Sequence, residues 1–236
     1  MPSMFERGAH WDDALFLSPV HIATLVIFII LVILLYRFRK NVHMKSYGRT
    51  VLIFLLVLSE ISIIFWSVAV GLWDIRFNLP LQLCTISLYL CVGMLLFKHR
   101  GIFEIVYFFG LAGALQALIT PDLFYTFPHF RYLHFFIAHF AIIFSILYMV
   151  WVEQFFVTFS SLVKSFLVLN FIAIIAFFVN QLTGANYMFL ARKPQNESIL
   201  DLLGPYPWYI LSLEAIAFLM FTLLYLPFLI KAKKKQ

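Results

Sequence analysis

Two short segments of the sequence carry side chains that could support covalent chemistry. Cys84 and Thr85 stand together in NLPLQLCTISLYL, and His134 and His139 stand in RYLHFFIAHF. A cysteine thiol or a threonine hydroxyl becomes a nucleophile when a nearby histidine removes its proton. The two histidines are about 140° apart around a helix, so we expect only one of them to line such a site. The alternative is that Cys84 is an inert small residue in a packed interior.

Glu60 is the most unusual of the other polar residues, because it lies in the apolar segment LSEISIIFWS beside Ser59 and Ser62. A carboxyl group in such surroundings requires a partner or a proton. One interpretation is a proton carrier, or an anchor for one of the histidines. The other is a neutral acid that hydrogen-bonds a neighbouring helix, and the sequence leaves both open.

No metal or nucleotide motif accompanies these residues. The histidines and cysteines lack the close spacing that zinc ligands have. The sequence also contains no P-loop, glycine-rich dinucleotide turn or zinc-protease helix. We therefore predict a site that uses neither a metal ion nor a soluble cofactor.

The elements that must position these residues are membrane-spanning helices. The chain of 236 residues is 64% hydrophobic and only 12% charged, with a mean hydropathy of +0.97. A soluble domain has about 25% charged residues, and a helix needs about 20 apolar residues to cross a bilayer. We predict an all-α, polytopic helix bundle in a single membrane domain, 1–236, with the fourth span the shortest. The seven predicted spans are roughly 18–38, 50–72, 79–97, 102–119, 132–152, 162–182 and 207–230.

Basic residues predict the orientation of this bundle. Of the 17 lysines and arginines, twelve fall on the side of the first connecting loop and of the C-terminus, and five fall on the other side. Because cytoplasmic loops are enriched in Lys and Arg, we expect the N-terminus outside and the C-terminus in the cytoplasm. The net charge of +6 is then a topology signal. We therefore predict membrane lipids as partners, and no nucleic acid, while the oligomeric state stays open.

The orientation assigns a depth to each polar residue, since a helix rises about 1.5 Å per residue. Nine polar residues on five spans then lie within about 11 Å of the outer surface. They are Gln82, Cys84, Thr85, Gln116, His134, His139, Asn180, Gln181 and Glu214. Polar groups in a membrane usually face the bundle interior or a wet cavity, so we predict a polar site in the outer half of the bilayer. The alternative is that each group lies at the interface and merely caps or bridges helices. In the inner half the clearest polar residue is Asn170.

Three segments resemble a known family. LPLQLCTISLYL, RYLHFFIAHF, and GANYMFLARKP followed by LDLLGPYPWY are similar to segments of the YwaF-type bacterial integral membrane proteins. That family resembles the animal transmembrane protein 164 family, which is described as a lipid acyltransferase acting through cysteine and histidine. It is more distantly similar to the androgen-induced membrane hydrolases of fatty-acid esters, which use threonine and histidine. The resemblance implies a multi-pass protein of the bacterial plasma membrane.

The resemblance also implies roles for particular residues. His134 matches the family histidine. Where the animal proteins have Cys-His after the proline, this chain has Leu81 and Gln82, so Cys84 and Thr85 remain alternative nucleophiles. Six residues, taken from the depth assignments and from the matching loop, are candidates for substrate binding: Gln82, Gln116, His139, Asn186, Tyr187 and Glu214.

Three functions follow as hypotheses, and whether the protein is an enzyme stays open. The first is acyl transfer or ester hydrolysis on a lipid, with His134 as base or acid and Cys84 or Thr85 as nucleophile. Gln82 would donate a hydrogen bond to the oxyanion. The second is proton-coupled transport of a small solute with Glu60 as the proton site, although the inner half offers few polar residues to line a path. The third is a non-catalytic component of a membrane assembly.

Overall fold

Apolar segments of this length satisfy their backbone hydrogen bonds in lipid only as helices or as closed barrels. The computed structural model describes residues 4–6, 15–194 and 199–233. Within these residues it contains seven α-helices and no β-strand, which confirms the predicted helix bundle. The helices are α1 (Pro19–Phe38), α2 (Val42–Ala69), α3 (Leu83–Phe97), α4 (Arg100–Ile119), α5 (Phe130–Trp151), α6 (Phe159–Thr183) and α7 (Trp208–Lys233). Two short 3-10 helices, Tyr187–Phe189 and Ile199–Leu203, lie between α6 and α7.

Helix α3 is shorter than the others. Six helices of the described part are long and apolar enough to cross a membrane, and α3 has only 15 residues. The prediction that the fourth span is the shortest is wrong, because α4 has 20 residues. The third helix also begins later than the predicted residue 79, since Pro80 lies in a turn that precedes Leu83. A helix of 15 residues is about 22 Å long, less than the roughly 30 Å thickness of the hydrocarbon core.

Polar side chains begin most of the helices. Five of them accept a hydrogen bond from a backbone N–H in the first turn of the helix that follows: Ser18, Asn41, His99, His129 and Thr158. Such caps satisfy N–H groups that a helix leaves unpaired. Helix α3 differs, because its N-cap residue Gln82 makes no side-chain cap hydrogen bond.

Helices α4 and α5 form the centre of the bundle. In their most apolar stretches 56% of the residues are buried, against 11% in α1 and 6% in α7. Phe103, Phe108 and Ile146 are completely buried in the core. The outer helix α1 is held to the centre by polar contacts, among them His21 Nε2 with the Leu118 carbonyl at 2.8 Å. The outer helices therefore present most of their apolar surface to lipid.

The two ends of the bundle differ in chemistry. We call the end at which α1, α3, α5 and α7 begin the Asn186 end, and the opposite end the Lys98 end. Ion pairs connect the helices at the Lys98 end, with Lys98 Nζ 2.8 Å from a Glu153 oxygen and Lys164 Nζ 3.5 Å from Glu104. The Asn186 end carries the long connection between α6 and α7.

Candidate functional site

The loop after α6 has a defined shape that its own side chains hold. Gly184 ends α6 with a φ of +71°, a conformation that glycine adopts without strain. Asn180, which is buried, accepts a hydrogen bond from the Tyr187 N–H at 2.8 Å and donates one to the Tyr187 carbonyl at 3.0 Å. The Asn186 side chain accepts from the N–H groups of Ala191 and Arg192. Asn186 therefore shapes this loop through its own hydrogen bonds.

Tyr187 connects the same loop to the residues that precede α3. Its side chain is completely buried. Its hydroxyl accepts from the Leu79 N–H at 2.9 Å and donates to the Ile75 carbonyl. Burial raises the pKa of the Tyr187 phenol, so the hydroxyl keeps the proton that it donates. The turn that replaces the first part of the predicted third span is thus covered by protein, as backbone outside helices must be at membrane depth.

Gln82 is the second link between α3 and this loop. Its Oε1 accepts a hydrogen bond from the Met188 N–H at 3.2 Å. Met188 and Phe189 have φ values of +56° and +55°, a left-handed conformation that is strained for residues with a side chain. Strain of this kind persists where the surroundings impose it, and it clusters at functional sites. Since Oε1 is engaged, the Gln82 amide offers its two Nε2–H groups as donors.

The packing of α3 on α5 brings Cys84 to the depth of His134. The Cys91 thiol is 3.9 Å from the Ile142 carbonyl, and both helices begin at the Asn186 end. Cys84 lies two turns before Cys91 on the same side of α3. It is therefore about 10 Å nearer to the Asn186 end than Cys91 is. His134 lies about 12 Å before Ile142 on α5. The two side chains therefore belong to neighbouring helices at closely similar depth, although no hydrogen bond between described residues joins them.

Thr85 lies on the side of α3 that faces α2. The neighbouring position one turn along, Tyr89, donates a hydrogen bond from its hydroxyl to Glu60 Oε1 of α2 at 2.7 Å. Residues four apart share one side of a helix, so Thr85 belongs to this α2-facing side. The sequence left the partner of Glu60 open, and the structure gives it Tyr89.

His134 is the sequence-derived candidate that has a buried polar atom without a hydrogen-bond partner among the described residues. Its Nε2 atom is buried and makes no hydrogen bond to any described residue. The imidazole lies beside the Phe130 ring, with 5.8 Å between the ring centroids, and faces the backbone of Ser59 on α2. Ser59 is 5% exposed, and its Oγ also lacks a hydrogen-bond partner among the described residues. Two unpaired polar atoms therefore lie on facing helices.

Sequence reasoning missed Ser59 as a member of this site. The only signal was its position next to Glu60, and nothing in the spacing connects it with His134. Its role depends on the packing of α2 against α5, which brings a serine and a histidine 75 residues apart to the same seam.

The histidine further along α5 and the glutamine of α4 make local contacts. His139 is buried, and its Nδ1 is 2.6 Å from the Phe135 carbonyl one turn earlier. Gln116 donates from Nε2 to the Thr120 hydroxyl at 2.6 Å. His134 and His139 thus differ in their hydrogen bonds.

Glu214 pairs with a residue that the sequence places at a different depth. Asn170 Nδ2 of α6 donates to Glu214 Oε2 of α7 at 3.0 Å. The Asn170 amide also donates to the Phe166 carbonyl. This contact joins α6 to α7, and it lies outside the junction of α2, α3 and α5.

The described N-terminal residues lie over the His134 region. The Met4 carbonyl accepts from the Phe130 N–H at 2.9 Å, and the Phe5 carbonyl accepts from Trp66 Nε1 at 3.1 Å. The Phe5 and Phe130 rings are 5.7 Å apart. This segment therefore covers α2 and α5 at the Asn186 end.

Comparison with known proteins identifies the family. The model of the TMEM164 family matches residues 16–225, which is nearly the whole chain. The chain belongs to the TMEM164 family. No curated protein and no solved structure matches it. The resemblance to the transmembrane protein 164 family is thereby confirmed, and with the six apolar helices it identifies a multi-pass integral membrane protein.

The match to the TMEM164 family covers all the helices from α1 to most of α7. Among the described residues, no group of three or more His, Cys, Asp or Glu side chains is arranged to hold a metal ion. The side chains at the junction of α2, α3 and α5 carry imidazole, thiol, hydroxyl, amide and carboxyl groups.

Proposed function

We propose that the chain is an enzyme that transfers or hydrolyses the acyl group of a lipid at the junction of α2, α3 and α5. The observation that supports this most directly is the buried Nε2 of His134, which has no hydrogen-bond partner among the described residues. Buried polar atoms are almost always paired, so an unpaired one calls for an explanation. A general base needs a free nitrogen of this kind to accept the proton of a nucleophile.

The nucleophile would come from the start of α3. Cys84 and Thr85 lie in the first turn of this helix, whose N–H groups receive no cap from the Gln82 side chain. Uncapped N–H groups at a helix start stabilise negative charge, as the oxyanion of acyl transfer requires. The Nε2–H groups of Gln82 would add to them. Ser59 is a third candidate, because its backbone faces His134 and its Oγ has no hydrogen-bond partner among the described residues.

The apolar packing of the Lys98 half of the bundle favours a lipid substrate over a polar solute. Met94, Leu95, Phe103 and Met149 are completely buried around the Lys98 half of α3, α4 and α5. A polar solute would have to cross this packed apolar region, whereas a lipid reaches the Asn186 half from the bilayer. Transport through Glu60 and a role in assembly are therefore the less favoured hypotheses.

The proposal includes the cellular setting. We place the chain among the YwaF-type proteins of the bacterial plasma membrane, with the Asn186 end outside and the Lys98 end in the cytoplasm, where the excess of basic residues belongs. His139, Gln116, Asn186, Tyr187 and Glu214 would then shape or line the outer half. Most of these side chains hydrogen-bond within the protein, which favours a role in shaping the site over direct contact with the substrate.

Lipid mass spectrometry on cells that lack the protein tests this function. Cells would be complemented with wild type, with His134→Ala, or with His43→Ala as a matched control, since His43 is exposed near the Lys98 end of α2. We expect wild type and His43→Ala to restore the lipid profile and His134→Ala to fail, with equal amounts of folded protein in the membrane. Rescue by His134→Ala would refute the proposal.

The nucleophile is then found by substitution at three positions. Cys84→Ala, Thr85→Val and Ser59→Ala each remove one candidate group, and loss of the base or nucleophile lowers turnover about 10²–10⁴-fold. The position whose variant is as inactive as His134→Ala supplies the nucleophile. Activity in all three single variants would exclude covalent catalysis through these groups.

A further inference from the structure

We propose that a groove between α2 and α3 binds the polar end of a lipid that carries a free hydroxyl group, through Glu60 and Tyr89. Such a lipid is the acceptor that an acyl transfer requires, so the inferred role rests on the proposed function. The binding itself does not depend on turnover, and it can be measured separately.

The groove is small, largely apolar and open at the side of the bundle. Its volume is about 180 Å³. Its lining residues come from one turn of α2 and one turn of α3: Val57, Glu60, Ile61, Leu88, Tyr89 and Val92. Four apolar side chains thus surround one carboxyl group and one phenol. This combination suits a molecule with a short polar end and an apolar body.

The carboxyl group supplies the reason for a hydroxyl donor. Glu60 lies about 14 Å from the end of α2, within the span, where an ionisable group is expensive unless it is paired. Among the described residues its side chain receives one hydrogen bond, from Tyr89. A carboxylate has about four acceptor positions. A hydroxyl group of a lipid would fill another of them at a depth that lipid molecules reach.

The dimensions favour a lipid over a helix of another protein. Each wall of the groove is a single turn, about 6 Å along its helix. A helix–helix contact normally runs over several turns, whereas a glycerol group with its first methylenes fits this length. The Tyr89 side chain is 43% exposed although its hydroxyl is paired, so the ring itself forms part of the open wall.

The groove and the His134 region lie on two sides of the same turn of α2. The Glu60 side chain faces α3, and the backbone of its neighbour Ser59 faces His134 on α5. In the transfer, the lipid hydroxyl oxygen would bond to the acyl carbon while the bond from that carbon to the enzyme nucleophile breaks. Glu60, which accepts the hydrogen bond of this hydroxyl, would take its proton, and the proton would then pass to the freed nucleophile. The groove would thus hold the acceptor at the turn of α2 that also contacts His134.

Photoaffinity labelling of the full chain in lipid nanodiscs tests the groove. The probe is a monoacylglycerol with a diazirine near its ester, and the control probe is its dimethyl ether, in which both free hydroxyl groups are methylated and no hydroxyl donor remains. Labelling is measured on His134→Ala protein, so turnover cannot consume the probe. We expect the hydroxyl probe to label the lining turns of α2 and α3 about tenfold more than the ether. A difference of about 1.4 kcal/mol in binding free energy corresponds to this factor.

Variants of the groove make the test specific. Glu60→Leu should abolish this preference, and Tyr89→Phe should weaken it. Phe54→Leu, which changes a side chain that is 63% exposed elsewhere on α2, should leave it intact. Equal labelling by the two probes, or cross-links between two protein chains at these turns, would overturn the proposal. An active His134→Ala enzyme with a labelled groove would refute only the proposed catalysis, and an unlabelled groove in a His134-dependent enzyme would refute only the groove.

Discussion

Asn180 should hold the loop that covers the start of α3, and its removal should loosen that loop selectively. Asn180→Leu keeps a side chain of similar size but removes both hydrogen bonds to the buried backbone of Tyr187. Each unpaired buried group costs about 1–3 kcal/mol, so the two groups together cost about 2–6 kcal/mol. The lower value corresponds to an increase in local opening of about thirtyfold.

Hydrogen exchange followed by mass spectrometry measures this opening in detergent-solubilised protein. We expect peptides that cover residues 184–190 to exchange at least about thirtyfold faster in Asn180→Leu, while peptides from α4 and α5 change little. Gln181→Leu is the matched control, because Gln181 is the next residue and is exposed. If the two variants exchange alike, the Asn180 contacts do not hold the loop.

Two further predictions concern helix contacts, and thermal unfolding in detergent measures both. Gly48→Ala places a methyl group 2.9 Å from the buried Tyr148 ring, so it should destabilise by about 1–3 kcal/mol. In Gly93→Ala the nearest atom is 3.7 Å away, and a gain of up to about 1 kcal/mol is expected; equal effects would contradict this reasoning. Asn170→Leu leaves Glu214 without its amide donor and should cost about 1–3 kcal/mol. Replacing both residues by leucine should cost less, and a less stable double variant would contradict the pairing.

Hydropathy predicted the helices because lipid leaves the backbone few alternatives. The start of α3 could not be predicted in the same way. The apolar run continues through Leu79 and Leu81, and only the contacts with Tyr187 and Met188 make the preceding turn stable. Hydropathy records which residues avoid water, but it does not record where a covering loop replaces helical hydrogen bonds.

The polar residues were predicted one by one, and their pairing was not. Asn170 and Glu214 contact each other although their residue numbers imply different depths, so depth calculated from the sequence did not identify this pair. Ser59 and His134 approach each other through the packing of α2 on α5. Glu60 and Tyr89 meet because both side chains lie at the edge of the α2–α3 contact. Each pairing depends on how the helices are oriented relative to one another, and this orientation is set by their packing.

The short third helix gives a physical reason why chemistry would sit at the Asn186 end. A helix that begins inside the span leaves N–H groups unpaired at a depth where water is scarce, and the chain covers the turn before it with Tyr187 and Met188. The start of α3, this covering loop and the start of α5 all lie within the residues that the TMEM164 family model matches. If α3 were simply extended to a full span, the covering loop would have no function and the donors at its start would move into the headgroup region. A full-length third helix would build a more regular bundle, but it would remove the uncapped donors from the depth at which His134 and Cys84 lie.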